Sequence, residues 1–144
     1  VVLPKDYVFD DEDDENYMNH RQLDYFRQKL IQWKAALKKE SEEKTREVLQ
    51  SHVDADLTDM ATREYDTDLT LQACNRNDEL ALEIDKALQR IDEGLYGYCE
   101  ETGEKIGLGR LKANPVTLYC IEEQERRERQ QKLYNSSDPY DEDL

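Results

Sequence analysis

Leu23, Phe26, Leu30, Trp33 and Leu37 follow one another at alternating intervals of three and four in an otherwise polar stretch. That spacing is the seam of a coiled-coil helix, because it returns an apolar side chain to one face every half heptad. The seam weakens at Ser41 and Lys44 and resumes at Val48 and Leu49. Asn19 supplies an N-cap with Gln22 three residues on. The pattern predicts a helix over about residues 19–51, roughly 50 Å long at 1.5 Å per residue. A stripe this narrow does not fold alone and needs a partner. A second helical run over about 59–92 offers Leu69, Ala73, Leu80, Ile84, Leu88 and Ile91 for a seam. Two such helices joined by a short turn form an antiparallel hairpin. Ser41 and Lys44 on one helix and Arg76 on the other make its middle polar and only modestly stable. Gly94 is placed to cap the second helix.

Beyond the hairpin the pattern changes. Four glycines between residues 95 and 118 indicate a compact, turn-rich unit. A last helix, charged around most of its face, is expected after Pro115. The predicted fold is mainly α: a coiled-coil hairpin over 18–93 with its tip near 52–61, a small zinc-finger-like head with a C-terminal helix over 94–134, and a disordered acidic tail over 135–144. Residues 1–17 form an N-terminal acidic segment, in which an apolar patch precedes the run DDEDDE.

Composition narrows the function. Only 37% of residues are hydrophobic while 38% are charged, so a thick globular core is not expected. The net charge of −15 argues against direct DNA binding, which needs cations to neutralise phosphates. An acidic chain suits a basic protein surface or a metal-bearing site better. No stretch is long and apolar enough to span a bilayer, and no signal-peptide pattern opens the chain. Three cysteines, an odd number, do not make a disulfide framework. The expectation is a cytoplasmic protein with no membrane contact.

Two of the cysteines begin zinc knuckles that are not completed. Cys99 is followed by Thr102, and Cys120 by Glu123, where second cysteines would stand. Structural zinc takes four ligands in a tetrahedron, usually Cys or His. Cys99, Cys120 and Glu123 are the ligands if zinc binds, but this set falls short, so no cofactor is expected and zinc is disfavoured. Glu100, Glu101, Glu122 and Glu123 are expected to raise the thiol pKa values, which speaks against a redox sensor.

The stretches YGYCEETGEKIGLGRL and LYCIEEQERRER, with YMNHRQLDYFRQKL at the start of the first helix and DADLTDMATREYD at the turn, resemble the DksA/TraR family of RNA polymerase-binding transcription factors. The resemblance runs from Tyr17 to Tyr134 in the family's order, and is to the cysteine-depleted subset. It implies a protein that is not an enzyme and does not bind DNA. Such a protein binds RNA polymerase as a monomer and inserts its coiled-coil tip into the secondary channel, modulating initiation in stringent-response regulation. It also implies that Asp56, Asp59 and Ala61 form the working tip, matching the family's Asp-x-x-Asp-x-Ala. Arg76 and Leu80 match family positions for the alarmone ppGpp, whereas Glu83 and Gln124 stand where the family has cations, which weakens that coupling. Arg110 matches a basic residue for polymerase contact. The alternative is a Gre-like transcript-cleavage or elongation factor acting through the same acidic tip.

Overall fold

The computed structural model describes residues 17–54 and 60–136. Helix α1 (His20–Asp54) starts at the expected cap. Asn19 Oδ1 accepts from the Gln22 N–H at 2.9 Å, and Gln22 Oε1 accepts from the Met18 N–H at 2.7 Å. One orphan donor of the first turn and the Met18 N–H just before the cap are thereby satisfied, and Gln22 is buried. Helix α2 (Met60–Glu93) ends at Gly94, whose φ of 75° suits glycine. The Gly94 N–H reaches Ile91 C=O at 3.2 Å and the Leu95 N–H reaches Arg90 C=O at 2.9 Å, a Schellman closure.

The helices pair in antiparallel register. Arg27 meets Asp92 at 2.8 Å, Lys34 meets Asp85 at 2.6 Å, Thr45 meets Cys74 at 3.8 Å and His52 meets Thr67 at 3.0 Å. One helix advances as the other retreats by equal steps, so no slip interrupts the rod. The two ion pairs are half exposed and contribute at most about 1 kcal/mol each.

Burial is graded along this rod. Phe26, Leu30 and Leu37 close with Ile84, Ala87 and Ile91 into a core, and Leu23, Trp33, Leu80 and Leu88 pack against it. Complete burial of Phe26, Leu30 and Ile84 stabilises by about 2 kcal/mol for each side chain. Toward the tip from Leu37 and Ile84, no described residue of the hairpin is buried. Here the structure corrects the expected seam. Counting back in sevens from Ile91 gives Ile84, Asn77, Thr70 and Arg63, so the polar seam residue is Asn77, while Arg76 is exposed. Leu49 and Leu69, expected in the seam, are 62% and 45% exposed because that register turns them outward.

The head grows from the base of the hairpin. Tyr98 and Lys105 form an antiparallel bridge, followed by a short α3 (Leu108–Ala113) and then α4 (Ile121–Ser136). Tyr96, Ile106, Leu111 and Val116 join the hairpin core, with the Tyr96 ring 5.5 Å from that of Phe26. The Tyr96 hydroxyl donates to Pro115 C=O at 2.8 Å. The last helix begins at Ile121 rather than directly after Pro115. Residues between them are engaged elsewhere: Leu118 C=O accepts from the Glu100 N–H at 2.8 Å, and the Thr117 N–H turns back to Asn114 C=O at 3.2 Å. The architecture is the expected one, mainly α, with a long hairpin, a small head and a C-terminal helix.

Tyr17 fastens the start of the chain to this head. Its hydroxyl donates to Gly97 C=O at 2.6 Å and accepts from the Gly107 N–H at 2.9 Å. Gly97, at φ 92°, lies so close under Met18 that an added Cβ would stand 2.6 Å from Met18 Cγ. Only glycine fits there.

Candidate functional site: rod tip and half-knuckle head

Of the tip residues, Asp56 and Asp59 lie outside the described residues. Ala61 is exposed in the first turn of α2. Met60 beside it is 53% exposed, and Val53 on the last turn of α1 is 79% exposed. Helix α1 carries this end roughly 50 Å from the head at 1.5 Å per residue. Arg76 and Leu80 sit one turn apart on α2, the first exposed and the second half-buried. Glu83 is exposed on the next turn, and Gln124 on α4 donates to Glu128 at 3.1 Å. Arg110 in α3 donates through one terminal nitrogen to Tyr119 C=O at 3.2 Å, so part of its guanidinium is held within the head.

The half-knuckles come together around Thr102. The Cys99 N–H donates to Glu104 C=O at 2.7 Å, and the Gly103 N–H returns to Cys99 C=O at 2.9 Å, closing a tight turn. Within it the Thr102 hydroxyl donates to Cys99 Sγ and lies 3.8 Å from Cys120 Sγ. Backbone N–H groups of Cys120, Thr102 and Glu101 also point at Cys99 Sγ. Burial pushes this thiol up, but the four donors outweigh burial and hold its pKa down to about 7. This reverses the expectation of a raised thiol. Donors a bond length away act more strongly than carboxylates on the surface, and one of those carboxylates is itself neutralised.

That carboxylate is Glu123, 4% exposed. Arg126 binds both of its oxygens, at 2.9 and 2.7 Å, and Arg127 adds a bond of 3.1 Å to Oε1. The Arg126 hydrogen bonds hold the Glu123 carboxyl below the usual range despite burial, and Glu123 in turn raises Arg126. Arg127 extends the cluster to Glu101 at 3.3 Å and lies 4.0 Å above the Tyr119 ring. The donor set does not fit tetrahedral zinc. Thr102 gives its hydroxyl proton to sulfur, and Glu123 directs its oxygens to two guanidiniums rather than to the thiols.

Tyr17, Tyr96, Arg126 and Arg127 carry much of this geometry and were not singled out from the sequence. A signal for the arginines was present, since they stand three and four residues after Glu123, the spacing of helical ion pairs.

Comparison with known proteins follows the same division of the chain. The family described as DnaK suppressor protein DksA, N-terminal domain, matches residues 22–91. The prokaryotic dksA/traR C4-type zinc finger family matches residues 94–129. The RNA polymerase-binding transcription factor DksA of Caulobacter vibrioides is 45% identical over 93% of this chain and 95% of its own. The protein of that name from Escherichia coli K12 is 33% identical over 75% of this chain and 72% of its own. Among solved structures, transcription factor DksA2 from Pseudomonas aeruginosa superposes with a TM-score of 0.77 at 37% identity, covering 83% of this chain and 92% of that one. Rod, head and both family matches lead to one conclusion: the chain belongs to the DksA family, with Thr102 and Glu123 in place of two cysteines of its C4 finger.

Proposed function

We propose that this protein binds RNA polymerase and modulates transcription initiation by extending its helical rod into the enzyme's secondary channel. The observation that carries the reading is 45% identity, over nearly the whole chain, to a protein named for polymerase binding. The physics agrees with it. A rod roughly 50 Å long with a small head can present side chains deep inside a larger partner. A net charge of −15 suits an electropositive passage and repels free nucleic acid. The Gre-like alternative is set aside, because both halves of the chain match DksA-type families.

Several finer points belong to the same proposal. Asp56, Asp59 and Ala61 act at the tip, and the protein performs no catalysis of its own. Arg110, whose Nε is buried and one terminal nitrogen bonded to Tyr119, contributes its other terminal nitrogen to the polymerase surface. Response to ppGpp is weak, since Glu83 and Gln124 replace cations beside Arg76 and Leu80. The protein works without zinc, its head being held by the Thr102 and Glu123 contacts. Its place is the cytoplasm, in keeping with the absence, among the described residues, of any helix long and apolar enough to cross a membrane.

The test is co-purification with RNA polymerase, followed by initiation assays at an rRNA-type promoter with and without ppGpp. Asp59→Asn removes the tip charge while keeping much of the capping ability. It should bind polymerase as the parent does and lose the effect on initiation. Normal regulation by this variant would exclude tip charge as the mechanism, and cleavage of transcripts in stalled complexes would restore the Gre-like reading.

A further inference from the structure

We propose that the hairpin consists of two mechanical units, a stiff base and a compliant outer arm, and that the arm's compliance lets the tip seat in the polymerase. The functional half rests on the polymerase-binding reading above; the mechanical half rests on the seam alone.

The division falls between Leu37 and Ser41 on α1 and between Leu80 and Asn77 on α2. On the head side the seam is apolar and closed around Phe26, Leu30, Ile84 and Ile91. On the tip side polar contacts dominate, and the apolar Val48 and Ala73 are only half-buried. Asn77 Nδ2 donates to Ser41 Oγ at 3.0 Å and approaches Leu37 C=O at 3.5 Å. Thr45 Oγ1 and Cys74 Sγ lie 3.8 Å apart, and Cys74 Sγ is 3.9 Å from Ser41 C=O. The Thr67 hydroxyl donates to Arg63 C=O at 2.8 Å, so His52 Nε2 is the donor in the 3.0 Å bond to Thr67 Oγ1. Water can replace each of these partners as the helices separate, and little apolar surface is uncovered. The base has no such substitute, because water does not replace the burial of Phe26 or Ile84.

Packing on the flanks of the hairpin is open in the arm and also across its junction with the base, where a groove of about 600 Å³ passes Ile31, Leu37, Ser41, Asn77 and Leu88. A groove of about 280 Å³ runs between the helices past Lys44, Val48, His52, Arg63 and Leu69. A shallower one of about 480 Å³ lies over Thr45, Leu49 and Cys74. Side chains therefore have room to move on both flanks of the seam. From Ser41 to the end of α1 the arm is roughly 20 Å long at 1.5 Å per residue, so a tilt of about 15° carries the tip about 5 Å. That travel is comparable to one helical turn, enough to bring a carboxylate into or out of contact.

Two measurements decide this. Hydrogen exchange on the free protein should show amides of 42–52 and 63–76 exchanging at least about tenfold faster than those of 26–37 and 80–91. Uniform protection along the rod overturns the mechanical half. Thr45→Cys then places a thiol opposite the native Cys74, where the 3.8 Å approach permits a disulfide after a rotamer change. Reduced, this variant should regulate like the parent. Oxidised, it should slow arm exchange and keep polymerase binding while losing at least about fivefold in its effect on initiation, with reductant restoring it. Parent protein oxidised in parallel isolates any contribution of Cys99 and Cys120. Ser41→Leu with Asn77→Leu closes the same seam without redox chemistry and should give the same loss. Full regulation by both stiffened forms overturns the functional half. If the parent itself fails to bind polymerase, the functional half falls with the reading it rests on, and the exchange contrast still decides the mechanical half.

Discussion

Thr102→Val keeps the branched shape of the side chain and removes the hydroxyl that donates to Cys99 Sγ. In the native head the Cys99 pKa stands at about 7, against an ordinary value of 9.0. Two units at about 1.4 kcal/mol each amount to about 3 kcal/mol of preference for the folded thiolate. Between these two values the folded chain has released the proton while the unfolded chain still holds it. Stability therefore rises with pH across that window, is fully present above 9, and is lost as pH falls through 7. Removing one donor costs about 1–2 kcal/mol, so Cys99 in the variant should titrate about one unit higher and the rise should shrink to about half. Thiolate absorbance followed from about pH 6 to about pH 10 reads the titration, and a Cys99→Ser difference spectrum assigns it. Guanidinium unfolding at each pH reads the stability. A native Cys99 that titrates near 9, or stability that stays flat from 7 to 9, would refute the reasoning.

Thr102→Cys with Glu123→Cys restores four thiol ligands and should bind one zinc per chain by elemental analysis, whereas the parent should hold far less than one and keep its fold in chelator. Phe26→Ala empties a fully buried position between the hairpin and Tyr96, and should destabilise by about 3–5 kcal/mol in urea unfolding. Tyr17→Phe removes the hydroxyl that joins Gly97 and Gly107, and should cost about 1–2 kcal/mol with an unchanged denaturant slope. In the same variant the Gly107 amide should lose exchange protection.

The base of the rod was legible because Leu23 through Leu37 and the isoleucines at 84 and 91 repeat with the period of a buried helix face. Asn19 and Gly94 were equally plain, since the capping chemistry needs those residue types at those places. The outer arm was misread for a physical reason. Once the seam becomes polar, the hydrophobic repeat no longer marks it, and Leu49 and Leu69 attract attention while facing solvent. Register carried outward from Ile84 would have found Asn77. In the head, the substituted knuckle positions were visible, but not what replaces the metal. Thiol acidity depends on the Thr102 hydroxyl and on where three backbone N–H groups point, and the second of these is a property of the turn rather than of any residue type. The clamp at Tyr17 joins positions 80 and 90 apart in sequence, beyond the reach of any local pattern.

The grading of the seam also sets the order in which the hairpin assembles. A contact near the turn, His52 with Thr67, spans 15 residues, while Arg27 with Asp92 spans 65. Zipping from the turn would begin with the cheapest loop, but the first contacts it meets are ones that water competes for. Closing the loop about four times longer costs only about 1 kcal/mol more in chain entropy, since each doubling adds about 0.6 kcal/mol. The apolar contacts at the base return more than that as soon as Phe26 and Leu30 reach Ile84 and Ile91. The folding nucleus is therefore expected at the junction of rod and head, which φ-values higher at Phe26 and Ile84 than at Asn77 would show. A nascent chain on the ribosome gains its first durable tertiary contact only once residues in the eighties have emerged, and the arm orders last.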